Sequence, residues 1–100
     1  MLKSLDEIKT VLNLHHRDIR ERYKVKEIGI FGSFVRGEQK KRSDVDILVE
    51  FTKKDIPDLL KLIELERYLQ KLLKKKVDLV RKGGIRPELK ESILKEVVYL

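Results

Sequence analysis

Apolar positions along the chain repeat with two different periods. Leu5, Ile8, Leu12, His15 and Ile19 recur at steps of 3, 4, 3 and 4. That is one stripe of a helix, with Ser4 placed to cap it and Glu7 three residues further on. Val25 to Phe31 is rich in β-branched and aromatic residues and closes on Gly32, which predicts a strand. Gly32 to Ser43 reads as a loop with a helical turn around Phe34-Val35-Arg36. Asp44 to Phe51 predicts a second strand, with Val45, Ile47, Val49 and Phe51 on one face and Asp44, Asp46, Leu48 and Glu50 on the other.

Ile56 to Leu73 returns to helical spacing, with Pro57 in its first turn and Asp55 as the cap. Its apolar residues spread over more than the ~100° arc that one buried face requires. The surplus fits either a helix wedged between sheet and terminal helices or a patch that meets a partner. Lys76 to Val80 predicts a short third strand and Gly83-Gly84 a turn. Pro87 opens a last helix, with Leu89, Ile93, Val97 and Leu100 on one stripe. The order α-β-loop-β-α-β-α implies a sheet with helices packed on it, an α/β or α+β sandwich with three strands.

The loop and the second strand carry the chemistry. Gly32-Ser33 is followed, after ten residues, by Asp44-Val45-Asp46. Residues two apart on a strand point the same way, so the two carboxylates can reach common cations. Carboxylate oxygens suit Mg²⁺ or Mn²⁺, and two such ions can clamp the attacking and leaving oxygens of a displacement at phosphorus. Glycine lets backbone approach a phosphate closely and Ser33 adds a hydroxyl donor. Arg36, Lys40, Lys41 and Arg42 share the loop; Arg36, one turn beyond Ser33, is the best placed to meet phosphate. Asp78 sits inside the apolar run Val77-Asp78-Leu79-Val80, a costly position for a buried acid unless it is paired or metal-bound. Beside the Asp44–Asp46 strand it becomes a third carboxylate, able to help deprotonate an attacking hydroxyl. The four residues Gly, Ser, Asp and Asp at fixed spacing arise by chance about once in 10⁵ start positions, on the order of once in 10³ chains of this length.

Length and composition narrow the field. One hundred residues is a single-domain length, so residues 1–100 read as one domain. No cysteine is present, which removes disulfides and thiolate metal sites. His15 reads as a core or boundary residue and His16 as exposed; two histidines adjacent on one helix do not make a zinc site. No apolar run approaches the ~18 residues of a membrane span, and the N-terminus, Met1 to Ile8, carries acids early and has no apolar signal core. A cytoplasmic protein is expected. The net charge of +7 favours anionic partners, although a solvated, salt-bridged surface fits it equally.

Ile28-Gly29-Ile30-Phe31-Gly32-Ser33-Phe34-Val35-Arg36-Gly37-Glu38, with Ser43-Asp44-Val45-Asp46-Ile47-Leu48-Val49 and the later Asp78, resembles the signature of the polymerase-β-like nucleotidyltransferase superfamily. Within it the chain is similar to the smallest branch, the minimal nucleotidyltransferases, over nearly its whole length. The resemblance implies a small three-stranded mixed sheet flanked by about four helices. It implies transfer of a nucleoside monophosphate from an NTP to a hydroxyl, with Mg²⁺. Asp44, Asp46 and Asp78 would be catalytic and hold the metal, two ions with NTP bound, while Gly32 and Ser33 hold the triphosphate. It further implies an antitoxin that transfers AMP from ATP to a tyrosine hydroxyl of a partner HEPN-type ribonuclease toxin. Larger relatives carry a helical domain that grips base and acceptor, and 100 residues leave no room for one, so the partner would supply that selectivity.

Three other readings stay open at this stage. One is an antitoxin that blocks its toxin sterically, which the three acids argue against. Another is transfer to a small molecule, less favoured without an acceptor domain. The third is RNA or DNA binding through the positive charge. Three Tyr, three Phe and no Trp give little surface for base stacking, so nucleic acid is not the expected partner.

Overall fold

The computed structural model describes residues 4–100. Met1, Leu2 and Lys3, the start of the segment read above as lacking a signal core, lie outside the described residues. The Ser4 cap forms as the sequence predicts. Its hydroxyl accepts the Glu7 N–H at 3.2 Å and donates to Glu7 Oε1 at 3.2 Å, a reciprocal cap on α1 (Leu5–Leu14). The predicted single first helix is two, because α1 ends at His15 and α2 runs His16–Tyr23. Asn13, His15 and His16 are weak helix formers, so the chain turns there while Ile8, Leu12 and Ile19 all stay buried.

β1 (Val25–Phe31) forms as predicted. A four-residue turn of helix, α3 (Ser33–Arg36), follows Gly32 and ends at Gly37. β2 (Val45–Phe51) starts one residue later than expected, leaving Asp44 in the loop. The helix predicted from Ile56 begins later too, as α4 (Leu59–Leu73), capped by Asp58, whose side chain accepts the Lys61 N–H at 2.9 Å. Pro57 holds Ile56 in extended conformation (φ −62°, ψ 116°), which delays the start. Asp55 instead closes a short 3-10 turn, Lys53–Asp55, accepting from the Thr52 hydroxyl at 2.7 Å. β3 is Val77–Arg81 and α5 is Pro87–Glu96, with Pro87 in its first turn.

The sheet has four strands rather than three, in the order β3-β2-β1-β4. β4 (Val98–Tyr99) pairs antiparallel with β1. The sequence pattern places Val97 and Leu100 on the stripe of the last helix, but the chain leaves the helix at Val97 (φ −61°, ψ 134°). Two residues are too few to show strand alternation, and only the free edge of β1 makes them a strand. β1 and β2 are antiparallel, β2 and β3 parallel, so the sheet is mixed, and α1, α2 and α4 share one core with it. Ile28, Ile30, Val45, Ile47 and Val49 face Ile8, Leu12, Ile19, Leu65, Leu69 and Leu73 in that core. No described helix is long and apolar enough to cross a membrane.

The surplus apolar residues of the Ile56–Leu73 segment are not wedged inside. Leu59 and Leu60 are each 72% exposed, and Ile56 and Ile63 are exposed beside them. This contrast yields a paired expectation for urea unfolding. Leu69→Ala, at a fully buried site, lowers stability by about 2–5 kcal/mol, whereas Leu60→Ala stays within about 0.5 kcal/mol of the parent. Equal effects would contradict the packing.

Candidate active site

The site is built where three strand ends meet. β1 runs into Gly32, β2 leads in from Asp44, and β3 begins just ahead of Asp78. Register decides what comes together: Phe31 pairs with Asp46, and Asp46 with Asp78. Paired residues on neighbouring strands lean to the same side of the sheet, so the Asp46 and Asp78 carboxylates are neighbours by construction. Asp44 stands one residue ahead of the strand and is exposed.

Gly32 has φ 82° and ψ −152°, a region open to glycine alone. A Cβ there would collide with Asp46 Oδ2. The missing side chain is therefore what lets the Asp46 carboxylate lie against the end of β1. The Gly32 carbonyl accepts the N–H groups of Val35 at 3.0 Å and Arg36 at 3.2 Å, which winds α3 directly after it.

Burial, then the neighbouring charges of Asp78 and Asp44, push the Asp46 carboxyl up to about 6; Arg36 draws it down and Glu96 adds to the rise. Asp78 is exposed on the edge strand, so the expectation that it is a costly buried acid is corrected: its side chain lies open to solvent. Among the described residues no three acidic or imidazole groups are already gathered as a metal cage. The donor chemistry nevertheless fits a hard divalent cation. Neighbouring carboxylates, one held at a raised pKa by its burial and by the others, are a set that a cation relieves.

Arg36, singled out as a phosphate ligand, is engaged by two carboxylates. Its Nε donates to Glu38 Oε1 at 2.8 Å and its Nη1 to Glu96 Oε1 at 2.7 Å. Glu96 Oε2 also accepts the Gly32 N–H at 2.8 Å. Glu96 was not foreseen. It reaches the site from the far end of the chain, 64 residues beyond Gly32, and nothing in its local sequence separates it from the other acids of α5. Lys41, Arg42, Ser43, Asp44 and Lys74 to Lys76 line a shallow depression of about 230 Å³. The basic runs on either side of Asp44 thus form one rim, with Lys75 Nζ donating to the Lys41 carbonyl at 3.3 Å.

Comparison with known proteins agrees with this geometry. Residues 12–100 match the family model of the nucleotidyltransferase domain. The protein adenylyltransferase MntA of Thermococcus cleftensis is 53% identical over 97 residues, spanning 97% of this chain and 96% of its own length. A toxin–antitoxin complex crystallised with AMP-PNP is similar at 27% identity and a TM-score of 0.72, over 92% of this chain and 70% of that one. The structure of a tri-AMPylated Shewanella oneidensis HEPN toxin with its MNT antitoxin shares the fold at a TM-score of 0.68 and 24% identity, over 92% of this chain and 70% of that one.

Two measurements follow from the Gly32–Asp46 contact. Gly32→Ala puts a Cβ into a glycine-only conformation and against Asp46, at a cost of about 1–3 kcal/mol, read as a lower melting midpoint. Asp46→Asn has a sign set by pH. The folded state holds the Asp46 proton more tightly than the unfolded chain, whose value is near 3.9, so the group favours folding below about pH 4. That contribution is lost as pH rises to about 6. Without divalent cations at pH 7 to 8, Asp46→Asn is expected to raise stability by roughly 1 kcal/mol, discounted for the solvent that reaches the carboxylate. The gain should vanish near pH 4, and a loss of stability at pH 7 would overturn the account.

Proposed function

The chain belongs to the nucleotidyltransferase domain family, and on that footing we propose that it is a Mg²⁺-dependent antitoxin transferring AMP from ATP to a tyrosine hydroxyl of a HEPN-type ribonuclease toxin in the cytoplasm. The observation that carries the reading is the register pairing of Asp46 with Asp78 beside the Gly32-Ser33 turn. The name of the Thermococcus cleftensis relative, at 53% identity, supports a protein as acceptor. The toxin–antitoxin complex with AMP-PNP, at 27% identity, supports an adenine nucleotide and a toxin partner.

Asp44, Asp46 and Asp78 would hold the metal ions, and Gly32, Ser33 and Arg36 would receive the phosphate chain. When bound, Mg²⁺ supplies neutralisation of charge on the phosphates and on the departing pyrophosphate. The tyrosine oxygen attacks the α-phosphorus, a new P–O bond forms, and the bond to the β-phosphate oxygen breaks with loss of pyrophosphate. Asp78, on the open edge strand, is exposed to an incoming acceptor and suited to take the hydroxyl proton. Exposed Ile56, Leu59, Leu60 and Ile63 supply an apolar surface that such a partner can cover.

Incubation with α-labelled ATP, Mg²⁺ and the candidate toxin should place one or more labelled AMP groups on toxin tyrosine. Asp44→Ala with Asp46→Ala should reduce labelling by at least about 10³-fold, the scale of losing the charge stabilisation at the reacting centre. No transfer by the wild type would sink the catalytic reading. Full neutralisation of the toxin by the double variant would leave a steric antitoxin.

A further inference from the structure

Glu96 lies at the end of α5, and the strand pairing that follows fixes where it goes. Ile30 pairs with Val98 and Gly29 with Tyr99, and the Leu100 N–H donates to the Ile28 carbonyl at 3.0 Å. In an antiparallel pair each step forward on one strand is a step back on the other. The same register therefore sets Glu96 opposite Gly32, two steps past the last paired residues, Ile30 and Val98.

The two oxygens of its carboxylate divide the work. Oε2 takes the Gly32 amide at 2.8 Å and Oε1 takes Arg36 at 2.7 Å. The Glu96 side chain is only 19% exposed, while that of Arg36 is 49% exposed. Glu96 is thus the enclosed partner and Arg36 the one that reaches solvent. A guanidinium has five N–H donors. The bonds to Glu38 and Glu96 use Nε and Nη1, and among the described residues Nη2 takes no partner. An arginine held by two carboxylates is restricted in rotation while one edge of its fork stays available. Paired this way it is oriented in advance for a phosphate.

Glu96 adds its negative charge to those of Asp78 and Asp44 around Asp46. Asp44, Asp46 and Asp78 already concentrate negative charge here. A neutral glutamine could accept the Gly32 amide without adding to it. What a carboxylate does beyond that is grip the arginine.

We propose that Glu96 is a positioning residue for nucleotide binding, holding the Gly32 amide and the Arg36 guanidinium so that arginine meets the phosphate chain of the NTP. This rests on the nucleotidyl-transfer reading above. Its consequence is that the C-terminal segment, through β4, sets the geometry of the phosphate end of the site.

The test is the affinity of the full chain for ATP with Mg²⁺, by calorimetry, in wild type, Glu96→Gln, Glu96→Ala, Arg36→Ala and the double variant Arg36→Ala with Glu96→Ala. Each Glu96 variant is expected to weaken binding about tenfold. The double variant should be no weaker than the weaker single one, because the two residues act as a unit. In wild type, inorganic tripolyphosphate should shift the Arg36 side-chain ¹⁵N resonance; in Glu96→Gln that shift should be much reduced. A role confined to fold stability would move melting midpoints while leaving the ATP affinity and this resonance unchanged, and that result would overturn the proposal. So would tighter binding by Glu96→Gln, which would make the carboxylate a competitor of phosphate. Should Glu96→Ala not fold, Glu96→Gln, which keeps an acceptor for the Gly32 amide, decides the matter. A wild type that binds no ATP would bring down the nucleotidyl-transfer reading itself, and this inference with it.

Discussion

The Asp46 carboxylate rests against the bare Cα of Gly32, and the arrangement of the site follows from that contact. It can exist only because Gly32 adopts φ 82° and ψ −152° and offers no Cβ in the way. That one conformation turns the chain out of β1, starts α3, and leaves room for an acid near the start of the neighbouring strand. Asp78 then joins by parallel register and Glu96 by antiparallel register. The central pair, β1 and β2, carries the Gly-Ser turn and Asp46, while β3 contributes Asp78 from one side and the end of α5, tied down by β4, contributes Glu96 from the other.

The charge of the site divides into two zones. Around Asp46, burial together with the negative charges of Asp78 and Asp44 raises its pKa. Around the rim, Lys41, Arg42 and Lys74 to Lys76 surround the approach to Asp44. Such a layout stores repulsion at the centre and attraction at the margin, which suits a complex of cation and polyanion better than either alone. The net charge of +7 thus resolves into a local feature in addition to a solvated surface.

The helices show where local signals are reliable. Ser4 capped α1 and Pro87 opened α5, because each rests on interactions within a few residues, and β1 kept its expected bounds because its β-branched run closes on Gly32. The failures share another cause. The break at His15, the late start of α4 and the end of the last helix before Val97, which leaves Val98-Tyr99 as a strand, depend on weak local preference meeting a tertiary partner or a steric restriction. The excess apolar surface of α4 was visible as an excess, but only packing showed that Leu65, Leu69 and Leu73 take the core and leave Leu59, Leu60 and Ile63 outside.

By itself the sequence determined the chemical groups on offer: a glycine, a hydroxyl beside it, and two carboxylates one residue apart at a fixed distance beyond them. Those are properties of residue types and short spacings, and they survive any error of a residue or two in element bounds. Tertiary structure decided which distant groups complete the set. Asp78 is a neighbour of Asp46 because β3 lies parallel to β2 in that one register, and Glu96 grips Gly32 and Arg36 because two residues after it add a fourth strand. Strand register is a long-range choice, made by burying Ile30, Ile47 and Val77 together, and no window of local sequence contains it.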